Sequence, residues 1–338
     1  MTDLLVVGAG PAGLATALYA VRAGLSVVVI EQRDGPIDKA CGEGLMPAAV
    51  RALGQLEVSL QGRPLRGIRY VDDRRQAEAR FASGDGMGVR RTALQAGLQA
   101  RALSQGVQIV PGRVGEVRQD ETSVTAGGRT ARYLVAADGL HSPIREQLGL
   151  CLPDWRERRY GLRRHYPMRP WTDLVEVHWS AGAEAYVTPV ADDLVGVAVL
   201  TRERGPYEQQ LGRFPRLADR LPASAATAVR GAGPLRQRVR SRVAGRVLLV
   251  GDAAGYVDAL TGEGIAVSIA CAEALVRCLV AGRPGRYEAE WAAASRRYRV
   301  LTESLLWARR QPPLARSIVP AAALLPRVFA GVVDQLAG

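Results

Sequence analysis

The stretch Leu4-Leu5-Val6-Val7-Gly8-Ala9-Gly10-Pro11-Ala12-Gly13, close to the start of the chain, decides the fold. Its apolar half predicts a buried parallel strand, and an Ala-rich helix is predicted from about residue 12 to 22. Gly8 permits the tight turn, Gly10 lets the backbone approach a pyrophosphate, and Gly13 lets the helix pack closely on the strand. The pattern therefore predicts a Rossmann-like α/β domain that binds a dinucleotide.

An acidic residue follows the next strand at the expected distance. Val27-Val28-Val29-Ile30 predicts that strand, and Glu31 comes directly after it. Glu31 lies roughly 20 residues beyond the turn, where a carboxylate binds the adenosine ribose hydroxyls. A glycine turn of purely structural use is the alternative. The residues predicted to bind the ADP half of a dinucleotide are Gly8, Gly10, Pro11, Ala12, Gly13, Glu31, Gln32 and Arg33.

Two further glycine-rich segments near the other end of the chain indicate which dinucleotide binds. Gly251-Asp252-Ala253-Ala254-Gly255 follows a predicted strand, and Thr261-Gly262-Glu263-Gly264-Ile265 opens a predicted helix that runs to about Val280. Both resemble segments of the FAD-dependent p-hydroxybenzoate hydroxylase superfamily, one at the ribityl chain and one beside the isoalloxazine ring. Amides at a helix N-terminus would stabilise negative charge on reduced flavin. The resemblance implies FAD as cofactor, with Gly251, Asp252, Gly262, Glu263, Gly264 and Ile265 around it.

A third segment agrees with the other two. Asp138-Gly139-Leu140-His141-Ser142-Pro143-Ile144-Arg145 follows an apolar strand and resembles the superfamily's Asp-Gly signature. The resemblance implies that Asp138 and Gly139 help to close the FAD site. Arg91 heads the helical pattern Arg91-x-x-Leu94-x-x-x-Leu98 and matches an arginine that the family sets near FAD, with a solvated arginine as the alternative.

The segment Lys39-Ala40-Cys41-Gly42-Glu43-Gly44-Leu45-Met46-Pro47 resembles the geranylgeranyl reductase branch of this superfamily. The resemblance implies that the segment, including Gly44 and Leu45, passes close to the flavin ring. Cys41 and Glu43 are then candidate catalytic residues, as proton donors or as groups that tune the flavin. The alternative is a packed thiol at Cys41 and a carboxylate at Glu43 that accepts backbone hydrogen bonds. Tyr186, on a predicted strand that faces the flavin, is the third catalytic candidate.

Two departures from that branch bear on the reaction. Tyr186-Val187-Thr188-Pro189-Val190 lacks the Trp and Phe of the branch's aromatic stretch, and Asp258-Ala259-Leu260 stands where the family has a proline. We therefore expect a FAD-dependent monooxygenase of secondary metabolism that hydroxylates an apolar aromatic, polyketide or isoprenoid-type metabolite through a flavin C4a-hydroperoxide. Geranylgeranyl reductase-like reduction of isoprenoid carbon-carbon double bonds is the alternative, and a flavin-binding module without turnover is a third. The halogenase signature Trp-x-Trp-x-Ile-Pro does not occur.

The source of electrons depends on whether the sequence predicts a second nucleotide-binding fold for NAD(P)H. Gly231-Ala232-Gly233-Pro234 has Arg236 in place of the third glycine, and neither a buried strand nor a helix start is predicted around it. We therefore expect NAD(P)H to bind transiently on the FAD scaffold as reductant, or a separate reductase to deliver the electrons.

The chain is long enough for two domains. At 338 residues and 48% hydrophobic content it can bury a large core. The predicted fold class is α/β: a Rossmann-like FAD-binding domain (1–62, 88–150 and 241–300) interleaved with an antiparallel β-sheet substrate domain (63–87 and 151–240). A C-terminal helical segment (301–338) follows, with breaks at Pro312-Pro313, Pro320 and Pro326.

Charge and cysteine usage indicate partners and compartment. The net charge is +12, but the arginines are dispersed without a lysine-rich arm, so we expect no nucleic acid partner. The arginine-dense stretch 156–169 is the candidate surface for acidic substrates, a carrier protein or a peripheral membrane contact, with plain solvation as the alternative. The cysteines show no metal-ligand spacing, and no metal is expected. Met1-Thr2-Asp3 leads directly into the first strand, so the expected location is cytoplasmic.

Overall fold

The computed structural model describes residues 1–156 and 158–338. The strands are β1 (Thr2–Val7), β2 (Val27–Glu31), β3 (Gly44–Leu45), β4 (Arg63–Leu65), β5 (Gly67–Val71), β6 (Gln76–Arg80), β7 (Gly86–Gly88), β8 (Gln108–Pro111), β9 (Val117–Gln119), β10 (Val124–Ala126), β11 (Arg129–Ala136), β12 (Cys151–Leu152), β13 (Tyr160–Pro167), β14 (Val175–Ser180), β15 (Ala183–Ala191), β16 (Leu194–Thr201), β17 (Arg230–Ala232), β18 (Arg238–Val239), β19 (Val243–Ala244) and β20 (Val247–Leu249). The helices are α1 (Pro11–Arg22), α2 (Pro47–Gln55), α3 (Arg91–Ser104), α4 (Pro143–Gln147), α5 (Tyr207–Leu211), α6 (Pro215–Ala218), α7 (Gly264–Val280), α8 (Tyr287–Arg310), α9 (Pro312–Leu324) and α10 (Pro326–Ala337), with 3₁₀ turns at Gly251–Ala254 and Pro284–Arg286.

The first sheet is parallel at its centre. Its strand order is β19-β20-β11-β1-β2-β8, and β20, β11, β1, β2 and β8 pair in parallel. The central strands read as continuous apolar runs because helices cover the sheet, and Leu4, Val6 and Leu134 are completely buried. Helix α1 packs against both α3 and α7. The predicted Rossmann-like α/β domain is confirmed.

The second sheet has the strand order β17-β13-β16-β15-β14-β5-β6. Its pairs are antiparallel, except that β14 and β5 run parallel. The stretches predicted as strands correspond to β5, β14, β15 and β16, so the prediction of an antiparallel sheet is confirmed. The parallel pair arises because β5 and β14 belong to different passes of the chain and are not joined by a hairpin.

A short sheet of order β3-β7-β4 joins the two larger sheets. It holds Gly44 and Leu45 of β3 beside β7, and β7 approaches β15 of the second sheet very closely. A Cβ on Gly88 would lie 1.7 Å from the carbonyl oxygen of Pro189, so only glycine fits at this crossing. The segment from Cys41 to Leu45 is held by β7, by α3 and by the second sheet.

The C-terminal helices pack on one end of the second sheet. Helices α9 and α10 contact β6, and α9 also contacts β5, through Val319, Ala322, Phe329 and Val333. The predicted break at Pro320 is wrong: α9 continues through this proline because its apolar side is held against the sheet. Helix α8 runs without a break through position 300, and the exact domain boundaries stay a prediction.

The described part of the chain has no single helix that is long and apolar enough to cross a membrane. Only the pair α9 and α10, bent by 105° at their junction, meets the length and composition criteria when the two helices are taken together.

Candidate active site

The first glycine turn is shaped to receive a phosphate group. Gly8 has φ +108°, and a Cβ there would lie 2.5 Å from the carbonyl oxygen of Ala137. A Cβ on Gly13 would lie 1.9 Å from the carbonyl oxygen of Gly8, so α1 can approach the strand only with glycine. By contrast, the nearest atom to a Cβ on Gly10 would be Nη2 of Arg91, at 3.9 Å. Open space therefore remains over Gly10 at the start of α1.

Glu31 borders this turn from the end of β2. Its Oε2 accepts a hydrogen bond from the Ala9 amide at 2.7 Å, and its Oε1 accepts one from the Arg33 amide at 2.9 Å. The carboxylate is only partly buried, as a group that binds ribose hydroxyls must be. Gln32 and Arg33 are exposed beside it. Pro11 and Ala12 form the first turn of α1, so the structure brings the whole predicted ADP-binding set together.

Two cations face the same space. Arg91 begins α3 and is only 7% exposed, and its Nη1 has no hydrogen-bond partner among the described residues. Burial lowers the pKa of this guanidinium. Lys39 is half-buried; burial and the nearby Arg33 lower its pKa, whereas Asp252 acts in the opposite direction. A buried cation without a partner requires an anion, and the pyrophosphate of FAD supplies one.

The Asp-Gly and Gly-Asp segments are joined by Arg145. This buried guanidinium donates to the carbonyl oxygens of Leu140, Asp252 and Ala253 at 2.8, 3.3 and 3.1 Å. It therefore ties the end of β11 to the turn after β20. From the sequence, Arg145 was identified only as the last residue of the Asp-Gly signature, without a role.

Two carboxyl groups, those of Asp138 and Asp252, lie where Arg145 links the end of β11 to the turn after β20. Burial raises the pKa of Asp138 and of Asp252, and Lys39 and Arg91 partly oppose the shift at Asp252. Oδ2 of Asp138 accepts a hydrogen bond from the Ile144 amide at 3.2 Å, whereas its Oδ1 has no partner in the described part of the chain. Lys39 also approaches Gly139: a Cβ there would lie 2.8 Å from its Nζ. Asp138, Gly139 and Asp252 therefore lie together, as the resemblance implies.

The turn before α7 is fixed from two sides. The Leu260 amide donates to Oδ1 of Asp258 at 3.1 Å, and the Tyr186 hydroxyl donates to the Leu260 carbonyl oxygen at 2.8 Å. Gly262 follows with φ +71°, and α7 begins with Gly264 and Ile265. These contacts hold the turn where family members carry a proline. Tyr186 thus positions this turn, and its catalytic role stays a prediction.

Glu263, beside that turn, is a buried carboxyl group with few hydrogen bonds or opposite charges to offset its burial. Its Oε2 has no partner among the described residues, and Nη2 of Arg297 lies 3.7 Å from its Oε1. Burial raises the pKa of Glu263 to about 7.

A buried ionic cluster supports the same turn from behind. Glu184 of β15 pairs with Arg159 (2.6 Å) and with Arg309 of α8, and Arg159 also lies 3.2 Å from Asp258. Burial raises the pKa of Asp258 to about 6, and Arg159 opposes this shift. This cluster was not predicted from the sequence, because its members lie far apart along the chain.

Glu43 lies at the centre of a second buried network. It has φ +58°, an uncommon value for a residue other than glycine. Its Oε1 accepts a hydrogen bond from the Arg91 amide at 2.8 Å, and its Oε2 lies 2.6 Å from Nε2 of His165. Nδ1 of His165 lies 3.0 Å from Nη1 of Arg163, and Arg163 pairs with Asp38. Glu43 thus anchors its loop to α3 and to the second sheet.

Cys41 lies beside this network. Its Sγ accepts a hydrogen bond from the Glu43 amide at 3.4 Å, and the side chain is partly exposed. Burial raises the pKa of the Cys41 thiol, with Arg91 opposing the shift, so the thiol stays protonated at neutral pH. A protonated thiol can donate a proton but is a poor nucleophile.

The residues present fit FAD. Gly8, Gly10 and Gly13 leave the phosphate cradle open, Arg91 and Lys39 bring positive charge to it, Glu31 presents a carboxylate, and Asp252 lies at the joint with α7. The fold and this donor set define a FAD-dependent oxidoreductase.

Comparison with known proteins gives the same class. Residues 1–162 match the family model described as FAD binding domain. The chain is 32% identical over 305 residues to a menaquinone reductase of Mycobacterium tuberculosis, covering 78% of this chain and 72% of that protein. It is 28% identical over 342 residues to a chloroplastic geranylgeranyl diphosphate reductase of Oryza sativa (89% and 71% covered). A para-nitrophenol 4-monooxygenase of Pseudomonas sp. is 27% identical over 328 residues (83% and 78% covered).

The fold is shared with a solved flavoprotein/dehydrogenase from Cytophaga hutchinsonii. The TM-score is 0.87 at 19% identity, covering 99% of this chain and 92% of that one. The chain therefore belongs to the geranylgeranyl reductase-like branch of the FAD-dependent p-hydroxybenzoate hydroxylase superfamily. The predictions of an enzyme and of FAD are confirmed.

Proposed function

We propose that the protein is a monooxygenase that hydroxylates an apolar, electron-rich metabolite, with NAD(P)H or a separate reductase as its source of electrons. The reaction consumes substrate, O₂, NAD(P)H and a proton, and yields hydroxylated product, water and NAD(P)⁺. When bound and reduced, FAD supplies either activation of O₂ or a hydride. The para-nitrophenol 4-monooxygenase among the relatives supports the first chemistry.

The hydrogen bonds of the polar side chains near the predicted flavin site are the observation that supports this proposal. Glu43 is held between His165 and the Arg91 amide, and the Tyr186 hydroxyl donates to Leu260, so neither is free to protonate a substrate carbon. Hydroxylation of an electron-rich ring requires no protein nucleophile, and it requires no acid that adds a proton to carbon. The network at Glu43 therefore acts by holding the loop in place.

The surroundings of the flavin turn favour an apolar substrate. Met46 lies 3.7 Å from the position of a Cβ on Gly262, and it packs with Leu65 and Val175 of the second sheet. This apolar wall excludes water from the space beside the turn and provides contact area for a ring or an isoprenoid chain.

Reduction of a carbon-carbon double bond is the second candidate, and Cys41 is the observation that favours it. Its partly exposed, protonated thiol is available as a proton donor beside the loop that resembles the geranylgeranyl reductase branch. This reaction takes a hydride from NAD(P)H through the cofactor and a proton from the thiol, and it leaves a saturated bond. The menaquinone and geranylgeranyl diphosphate reductases among the relatives support it.

Isotope incorporation separates the two reactions. The holoenzyme is incubated with NADH or NADPH and with phenolic polyketides or prenylated quinones, under ¹⁸O₂ and under strict exclusion of oxygen. Hydroxylation predicts ¹⁸O in the product and no product without oxygen. Turnover of a prenylated substrate without oxygen, with deuterium incorporated from D₂O, would overturn the proposal in favour of alkene reduction.

Cys41→Ala gives an independent readout. A monooxygenase should keep its product yield within a few-fold, because the thiol is not needed as an acid. An alkene reductase should lose about 10²-fold or more of its rate, the usual contribution of a positioned acid. Cys271→Ala is the matched control, because Cys271 is a buried thiol on α7 and is not part of the Cys41 loop.

A further inference from the structure

The junction of α9 and α10 exposes an unusual run of apolar side chains. All six residues from 323 to 328 are exposed, and four of them are Leu324, Leu325, Pro326 and Val328. The exposed fractions of Leu324, Leu325 and Val328 are 75%, 55% and 61%. We call residues 323–328 the apolar corner. Single exposed leucines are common on protein surfaces, whereas a contiguous set marks an interaction surface.

The exposed side of α9 extends this corner. Leu314, Ser317, Ala321 and Leu324 recur at helical spacing and are all exposed, whereas Val319 and Ala322 on the opposite side are buried. Packing of α9 against the second sheet therefore accounts for one side of the helix. The small and apolar side chains on the other side are exposed to solvent.

Arginines outnumber acidic residues in the C-terminal part of the chain that contains the apolar corner. Residues 304–338 contain four arginines (Arg309, Arg310, Arg316 and Arg327) and one acidic residue, Asp334. Arg309 is used in the buried cluster, and Asp334 accepts a hydrogen bond from the Ala82 amide at 3.0 Å. Arg316 and Arg327 are exposed and form no ion pair within the described part of the chain.

The arginine-dense stretch 156–169 is different. Arg159, Arg163 and Arg164 each pair with a carboxylate of this same chain, namely Glu184, Asp38 and Glu208. Their charge is therefore largely compensated within the protein. The unpaired cations of the C-terminal helices lie beside exposed leucines, which is the combination that an anionic lipid surface attracts.

We propose that the apolar corner and the exposed side of α9 dock on an anionic lipid bilayer. Leu324, Leu325 and Val328 enter the boundary between headgroups and acyl chains, and Arg316 and Arg327 lie at the anionic headgroups. Because α9 and α10 also pack on β5 and β6, docking places the second sheet next to the membrane. This surface goes beyond the proposed reaction and does not depend on it.

Vesicle sedimentation with the FAD-loaded enzyme tests the proposal. Wild type should sediment with phosphatidylcholine vesicles that contain phosphatidylserine, and much less with phosphatidylcholine alone. Leu324→Ser combined with Leu325→Ser should weaken binding by about tenfold or more, because two apolar side chains no longer enter the lipid. Arg316→Gln combined with Arg327→Gln should weaken binding to the anionic vesicles by about 25-fold at low salt.

Leu103→Ser is the matched control. Leu103 lies on α3 in the FAD-binding half and is 51% exposed, so this variant removes a comparable leucine without changing the proposed surface. It should bind vesicles like wild type. Binding that is unchanged in both double variants, or no binding of wild type to anionic vesicles, would overturn the proposal. So would a lipid-free dimer in sedimentation velocity that the leucine double variant dissociates, because the corner would then bind a second copy.

Discussion

Replacement of Arg91 by methionine should weaken FAD binding without destabilising the apoprotein. The Arg91 guanidinium is buried over the open space at Gly10, and its Nη1 has no partner among the described residues. Without an anion beside it, this charge is an unfavourable element of the fold, as the lowered pKa of Arg91 indicates. Methionine keeps most of the apolar stem and keeps the backbone amide that donates to Glu43.

The size of the effect follows from the loss of one partner of a desolvated charge pair. Such a loss costs about 2 to 4 kcal/mol, which corresponds to a roughly 30- to 700-fold higher Kd for FAD. The free energy of unfolding of the apoprotein should stay unchanged or rise, because the change removes a buried cation whose burial outweighs the attraction of the nearby acidic groups. The affinity for FAD falls while the stability of the apoprotein does not, a combination that a general loss of folding could not produce.

Titration of apoprotein with FAD, followed by quenching of flavin fluorescence, measures the Kd. Urea unfolding of the apoprotein gives its stability. Arg101→Met is the control, since Arg101 lies on the same helix but pairs with Glu57 at the surface, and its Kd for FAD should equal that of wild type. An unchanged Kd in Arg91→Met, or apoprotein destabilised by about 2 kcal/mol or more, would refute the reasoning.

Three further variants test the networks around the site. Glu43→Gln disturbs the buried contact of Glu43 with His165 and should lower the free energy of unfolding of the apoprotein by about 3 kcal/mol in urea. Glu263→Gln should raise it by up to about 3 kcal/mol at pH 8, because the carboxyl group with a pKa of about 7 must ionise while buried. Tyr186→Phe removes the hydrogen bond to Leu260 and should cost about 1 kcal/mol.

The sign of the Glu263 effect gives a distinct pH profile. Its pKa is raised from 4.5 to about 7, so the native state retains a proton that the unfolded chain has released between these pH values. Stability of wild type therefore falls as pH rises through this window, and Glu263→Gln should flatten that slope. Equal slopes in the two proteins would contradict the assignment.

Glu78→Gln, in a partly exposed pair with Arg69, should change stability by less than about 1 kcal/mol and serves as the control for Glu43→Gln.

Local patterns predicted most of the fold and the cofactor. The glycine turns at Gly8 and Gly251 combine strand, turn and helix within short segments, so the sequence carries their geometry directly. The predicted break at Pro320 was wrong because contacts with a distant part of the chain, and not the local sequence, decide whether α9 continues there. A proline removes only one helical hydrogen bond, and packing of α9 on the second sheet outweighs that loss.

Contacts between segments far apart in the chain could not be predicted from the sequence. Glu43 was recognised by its motif, but its partner His165 lies 122 residues further on, and only the pairing of the sheets brings them together. Lys39 was considered only as a neighbour of Cys41, yet it lies beside Gly139 and near Asp252. The loop from Cys41 to Leu45 carries the family signature, whereas the hydrogen-bond partners of its Glu43 come from α3 and from the second sheet.

The sequence alone therefore determined the class of fold, the flavin cofactor and the segments that surround it, because these depend on glycine positions and hydrophobic periodicity over a few residues. Only the tertiary structure decided which side chains are free to act. Hydrogen bonds engage Glu43 and Tyr186, and burial leaves Cys41 protonated. Nη1 of Arg91 has no hydrogen-bond partner among the described residues, and packing leaves the apolar corner exposed. Solvent access and charge compensation arise from residues far apart in the chain, and no local pattern encodes them.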